Sequence, residues 1–150
     1  MPYILNSGRR LGKGALMELL VNLDVDNLEN AIAFYSTVFD LKVGRRLGAG
    51  AAEMLGSSAP IYLLEKAAGT PVSSTTTERR SYGRHWTPVH LDFVVGDIES
   101  AVQRAISAGA LLEGPIATQK WGRLALMADP FGHGFCFVQF LGAGYGEIAE

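Results

Sequence analysis

The sequence predicts an α+β protein made of two βαβββ modules, each a mixed sheet carrying one helix. Three observations carry that prediction. First, the chain repeats itself at a constant offset of 70 residues: Leu23, Val25, Leu28, Glu29 and Ala31 map onto Phe93, Val95, Ile98, Glu99 and Ala101. Second, in each copy the apolar period switches from that of a strand to that of a helix across an acidic or amide residue. Third, Gly and Pro punctuate the short apolar runs that follow. Two like modules should pack together, and sites in such proteins favour the space between the copies.

The elements follow in order. Met17–Val25 (MELLVNLDV) reads as a strand, rich in Leu and Val. Asn27 is a suitable N-cap for a helix over Leu28–Phe39, whose apolar face is Leu28, Ala31, Ile32, Tyr35 and Phe39. Strands are expected at Leu41–Leu47, Ala51–Leu55 and Ile61–Glu65, separated by Gly48, Gly50, Gly56 and Pro60. The stretch 67–87 is rich in Ser, Thr, Gly and Arg without an apolar period, and reads as a linker whose first half is mobile. The second copy runs as a strand at His90–Val95, a helix at Ile98–Ala108 capped by Asp97 and stopped by Gly109, then strands at Leu111–Gly114, Gly122–Ala128 and Gly134–Phe140. The expected division is therefore an extension at 1–16, a first module at 17–66, the linker at 67–87, a second module at 88–141 and a Gly-rich tail at 142–150, all within one structural domain.

Composition narrows the function. A net charge of −2 argues against a nucleic-acid or anionic-membrane surface as the main partner. The single cysteine, Cys136, excludes an intrachain disulfide and suits a reducing compartment, so a cytoplasmic location is expected. No apolar run approaches the roughly 20 residues of a membrane span. No P-loop, dinucleotide fingerprint or Cys/His zinc spacing is present.

Three stretches resemble the vicinal oxygen chelate superfamily (glyoxalase, bleomycin resistance protein and extradiol dioxygenase). Leu23-Asp24-Val25 through Leu28-Glu29-Asn30-Ala31-Ile32-Ala33-Phe34-Tyr35 is similar to the family's opening pattern, with Asn27 where the family has Asp. His90 to Ile98 is the second such stretch, and Ala128-Asp129-Pro130-Phe131-Gly132-His133-Gly134-Phe135 is similar to the family's turn before its last strand. The resemblance covers about residues 17–140 and implies paired modules forming a cup-shaped site, with a homodimer as the expected assembly.

The family's metal enzymes take ligands from the first and last strand of each module. Carried over, those positions fall on Leu20, Tyr62, His90 and Cys136. Leu offers no donor and a neutral Tyr is a poor ligand, so no metal and no other cofactor is expected. The four residues are instead candidate walls of an apolar cup, with Trp86 or Trp121 near its mouth. A His90/Cys136 pair would also suit nucleophilic catalysis if the thiol were activated. Arg84 and the Arg79-Arg80 pair are expected to be solvated, and His133 exposed in a turn. Glu53 and Glu65 reach the cup if the strand register slips by one. The leading expectation is a protein that binds a small organic molecule, as resistance and sequestration proteins do. The alternative is a lyase or isomerase of the glyoxalase type, or a ring-cleaving dioxygenase, dependent on a divalent cation.

Overall fold

A computed structural model describes residues 17–150; the expected extension at 1–16 lies outside the described residues. The elements are β1 (Val21–Val25), α1 (Leu28–Phe39), β2 (Lys42–Arg46), β3 (Ala51–Leu55), β4 (Ile61–Glu65), β5 (Leu91–Val94), α2 (Ile98–Ser107), β6 (Leu111–Leu112), β7 (Ala117–Gln119), β8 (Gly122–Ala128) and β9 (Gly134–Phe140), followed by a 3₁₀ turn at Gly144–Glu147. The first sheet has the order β1-β4-β3-β2 and the second β5-β9-β8-β6, with β7 also pairing β8. The fold is thus the α+β pair of mixed sheets that the repeat predicts. In both sheets the first strand lies parallel to the last, β1 on β4 and β5 on β9.

Local chemistry explains the boundaries. Asn27 accepts the backbone N–H of Asn30 at 2.9 Å, and Asp97 that of Ser100 at 3.1 Å, so each helix begins at a side-chain cap. A longer reach reinforces each start. Glu65 Oε2 accepts Leu28 N–H at 2.7 Å, and Gln139 Oε1 accepts Ile98 N–H at 2.9 Å. The last strand of each sheet thereby ties down the helix of its own copy. Glu65 is spent on this cap rather than reaching a site.

Three elements differ from expectation. β1 starts at Val21, not Met17, because its only partner, β4, begins at Ile61; Val21 N–H already bonds Pro60 C=O, and nothing precedes that proline in the ladder. The buried face of α1 is Leu28, Ala31, Phe34, Tyr35 and Val38, with Ile32 and Phe39 only partly covered, because the helix packs between its own sheet and the second copy. The second strand of the second copy, expected at Leu111–Gly114, is split into β6 and β7 around Gly114 and Pro115, since Gly114 takes φ +149 and a proline cannot donate to a ladder.

One apolar core joins the two sheets. Phe39 stacks on Phe93 with ring centroids 3.9 Å apart and meets Phe135 and Phe137, so the end of α1 is buried against the second sheet. Tyr35 donates to Asp129 Oδ2 at 2.8 Å across the same seam. Burial, then the Asp129 charge, pushes the Tyr35 phenol well above its ordinary range. The tail hugs the second sheet, with Tyr145 against Trp121 and Phe140. Among the described residues no helix is long and apolar enough to cross a membrane.

Candidate functional site

Strand periodicity sorts the side chains. On β1 and β5 the residues Val21, Leu23, Val25, Leu91 and Phe93 turn toward the helices, while Asn22, Asp24, Asp92 and Val94 turn away, all exposed except the half-buried Asp24. The parallel registers set Asn22 beside Tyr62 and Asp92 beside Cys136. The outer face of each sheet therefore presents equivalent positions, and the two copies fill them differently.

On the first sheet the outer face is closed by an internal ion pair. Glu53 is 1% exposed and is held by Arg45, Nε to Oε1 at 3.0 Å and NH2 to Oε2 at 2.5 Å. Tyr62 donates its hydroxyl to Glu53 Oε2 at 2.7 Å. The Arg45 hydrogen bonds hold the Glu53 carboxyl below its usual range against the opposing effect of burial. Burial, then the bond to Glu53, raises the Tyr62 phenol. Such a buried carboxylate, matched by its cation and a hydroxyl, is structural rather than a proton shuttle. Leu20 lies before β1, 44% exposed and with no donor atom to offer.

The second sheet is open. A cavity of ≈ 250 Å³ lies over it, lined by Arg84, Trp86, Thr87, His90, Glu113, Leu126 and Cys136 among others. Three of the six expected site residues, Trp86, His90 and Cys136, line this cavity; Leu20, Tyr62 and Trp121 do not. Trp121 sits at the β7–β8 turn and packs on Phe140 and Tyr145 instead of guarding a mouth. Trp86 is 79% exposed, and its indole lines the cavity at the rim.

At the cavity wall His90 Nε2 is 3.1 Å from Asp92 Oδ1, and the donor atoms of His90, Asp92 and Cys136 lie within 4.8 Å of one another. Cys136 is nearly buried. Burial, then the Asp92 charge and hydrogen bond, pushes its thiol up to about 12, so it is protonated at neutral pH and is no ready nucleophile. Asp92 was not among the sequence candidates. The signal was available, because on the strand that the sequence predicts over His90–Val95 it stands two residues after His90 and shares its face; in the structure His90 immediately precedes β5. Glu113 carried no such signal, since it lies in the break between β6 and β7.

The linker is tied down, contrary to its composition. Arg84 pairs with Glu113, Nε to Oε2 at 2.8 Å, instead of being solvated, and this hydrogen bond lowers the Glu113 carboxyl. Arg80 pairs with Asp24 at 2.6 Å, Arg79 bonds Gly69 C=O at 2.8 Å, and Tyr82 donates to Lys66 C=O at 2.5 Å. His133 is half-buried rather than exposed. Its Nε2 donates to Asp24 C=O at 2.7 Å, and its Nδ1 lies 3.1 Å from His85 Nε2. This imidazole pair pins β1, the linker and the β8–β9 turn together at the edge of the cavity.

Comparison with known proteins agrees with the architecture. The sequence profile of the family described as "Glyoxalase-like domain" matches residues 20–138. Two mycobacterial proteins described as uncharacterised are similar over 126 residues at 32% identity: Mb0911c of Mycobacterium bovis, covering 75% of this chain and 76% of its own length, and Rv0887c of Mycobacterium tuberculosis, covering 75% and 68%. Among solved structures, the fosfomycin resistance protein FosX of Listeria monocytogenes superposes with a TM-score of 0.63 at 17% identity, covering 84% of this chain and 95% of its own. TioX of Micromonospora sp. ML1 gives 0.63 at 19%, covering 83% and 99%, and a lactoylglutathione lyase of Agrobacterium tumefaciens 0.57 at 17%, covering 82% and 92%. The repeat, the paired parallel first and last strands and the profile match agree: the chain belongs to the glyoxalase-like domain family, within the vicinal oxygen chelate superfamily.

Proposed function

We propose that the protein binds a small organic molecule over the outer face of the second sheet. The observation that carries this reading is the cavity itself, whose Leu126 and Trp86 walls converge on the polar tips of His90 and Cys136, with the Asp92 carboxylate 3.1 Å from the His90 imidazole. Apolar walls with a few placed polar groups are the usual make-up of a ligand pocket. Its volume of ≈ 250 Å³ falls just below the roughly 300–1,000 Å³ typical of such pockets, which favours a small ligand. The exposed indole of Trp86 suits stacking on a planar group, and the His90 imidazole suits a hydrogen bond to it. Arg84 is neutralised by Glu113, so the cavity has no surplus cation to favour a strongly anionic ligand. The fold neighbours include a fosfomycin resistance protein, which supports sequestration or modification of a small molecule as the class of role.

A second reading has a specific observation behind it. Three potential donors within 4.8 Å of one another, two of them on the cavity wall, suit a divalent cation, which would there polarise a carbonyl or hydroxyl of the bound molecule, as a lyase or isomerase requires. His90, Asp92 and Cys136 are the residues that would hold it. On the same proposal the protein works as a homodimer. Val89, Val94, Leu126 and Trp86 are 77%, 62%, 50% and 79% exposed on and around this face, and a second copy covering them would close the cavity.

The test is a thermal-shift screen of planar heteroaromatic and hydroxylated compounds, with calorimetry on the hits. A ligand at 100 times its Kd should stabilise the fold by about 2.7 kcal/mol, and Trp86→Ala should weaken it at least about fivefold. Hits whose affinity is unchanged by both Trp86→Ala and Leu126→Ala would refute the location. Sedimentation equilibrium should find a dimer at micromolar concentration, and a strictly monomeric chain would remove that part of the proposal.

A further inference from the structure

We infer that His85 and His133 share one proton beyond those of two neutral rings, and that this imidazole–imidazolium pair latches the linker segment that walls the cavity. The inference stands on a count of hydrogens and does not need the organic ligand. His85 Nδ1 lies 3.1 Å from Gly83 C=O, and His133 Nε2 lies 2.7 Å from Asp24 C=O. A carbonyl oxygen only accepts, so both of these nitrogens carry a hydrogen. Between the rings, His85 Nε2 meets His133 Nδ1 at 3.1 Å with the ring planes at 84°. One further hydrogen completes that contact. The four ring nitrogens then hold three hydrogens, whereas two neutral imidazoles bring two. The pair carries one positive charge, and solvent supplies the proton.

The surrounding charges suit a cation here. Asp24 is paired with Arg80 at 2.6 Å, and Arg84 with Glu113 at 2.8 Å, so neither pair opposes it. Asp129 is buried, accepts the Tyr35 hydroxyl and the backbone N–H of His133, and makes no ion pair among the described residues. The shared proton sets a positive charge on the turn that holds this carboxylate. His90 lines the same cavity of ≈ 370 Å³ between β1 and β5, but it turns to Asp92.

A change of the proton count in either direction opens the latch. A fourth proton sets two N–H groups against each other across the 3.1 Å contact. With only two hydrogens, one of the three contacts sets two lone pairs together. The folded pair therefore binds more protons than two free rings at alkaline pH and fewer at acid pH. Its contribution to stability peaks near the ordinary imidazole value of about 6.5 and is lost on both sides. The cavity rim is what loosens, because His85 stands between Arg84 and Trp86, which line the cavity over the second sheet. The His85 N–H bond to Gly132 C=O and the Arg84–Glu113 pair persist, so the chain stays folded while the rim gains freedom.

The experiment is nitrogen-15 NMR of the imidazoles in the full-length protein. At about pH 6.5 the spectrum should show hydrogens on His85 Nδ1 and His133 Nε2, and a scalar coupling from His85 Nε2 to His133 Nδ1 across the shared hydrogen. Urea denaturation from about pH 5 to 9 then compares the wild type with His85→Gln. The glutamine amide presents either its N–H or its C=O to His133, so it serves both proton states and should remove the peak. Relative to that variant, the wild-type folding constant should fall roughly three- to tenfold on each side of its maximum, the weight of one hydrogen bond. Amide exchange at residues 84–87, corrected for its intrinsic pH dependence, should quicken above about pH 8 in the wild type and not in His85→Gln. His90→Gln should keep the peak. The wild-type spectrum stands on its own if a variant fails to fold. Two neutral rings at about pH 6.5, or the same pH profile in the wild type and His85→Gln, would overturn the latch.

Discussion

Asp129→Ala should destabilise the protein by about 3–5 kcal/mol, because one buried carboxylate serves three donors whose hydrogen bonds to a charge are each worth roughly 1.5–3 kcal/mol. Its Oδ1 accepts the N–H groups of Phe131 and His133, both at 2.9 Å, and so shapes the β8–β9 turn; its Oδ2 takes the Tyr35 hydroxyl from α1. Alanine releases the turn and strands the hydroxyl of Tyr35, a residue only 3% exposed, in the apolar seam. Tyr35→Phe alone should cost less, since Asp129 keeps its two backbone donors. The double variant should fall short of the summed single effects, because the two residues share one bond. Urea denaturation with an unchanged m-value would read this directly. A loss below about 1 kcal/mol for Asp129→Ala would show that the turn is held by other means.

Gly132→Ala should be the most damaging single-methyl change in the chain. Gly132 has φ +87, and an added Cβ would be driven into the carbonyl of Gly83 where the linker crosses the turn. Left-handed strain of about 1–2 kcal/mol and overpacking of about 1–3 kcal/mol combine to roughly 3 kcal/mol. That corresponds to a fall in Tm of about 6–12 °C for a chain of this size. Gly48→Ala is the matched control. Gly48 has φ +69 but nothing within 4 Å of an added Cβ, so only the strain applies and about 1 kcal/mol should be lost. Equal losses at the two positions would refute the contact between linker and turn as the cause. His85, which donates its N–H to Gly132 C=O at 3.1 Å, should lose that anchor in the alanine variant.

How much of this was legible in the sequence depends on the range of the forces involved. The helix starts at Asn27 and Asp97, and strands such as Ala51–Leu55, Ile61–Glu65 and Gly134–Phe140, follow from local capping and patterning, and they could be read directly. The start of β1 could not, because Met17 to Leu20 has strand-like residues but no partner strand beside it. The linker misled for a related reason. Its Ser, Thr and Gly content predicts freedom, yet three arginines, a tyrosine and a histidine find partners more than nine residues away in sequence. His133 was misplaced in the same way, since its partner, Asp24 C=O, is 109 residues distant. At the site, the His90 and Cys136 positions could be named by resemblance, but their neighbour Asp92 needed the parallel register to bring it beside Cys136. Glu53 illustrates the converse. It does turn to the outer face, and it is Arg45 on the bulged edge strand β2 that commits it to a structural role.

Each sheet is assembled from one uninterrupted stretch of chain, residues 21–65 for the first and 91–140 for the second, and no strand of one pairs with a strand of the other. The backbone between Ser73 and Thr77 is exposed and takes part in neither ladder. Severing the polypeptide there cuts no sheet hydrogen bond, and the two pieces would still share the Phe39–Phe93 stack and the Tyr35–Asp129 bond. The architecture is therefore suited to fragment complementation. Two separately produced halves carry matching apolar surfaces, and the half bearing His90, Asp92 and Cys136 brings the whole cavity lining, so a reporter split at this loop would recover a covered apolar seam, and with it a folded cavity, when the halves meet.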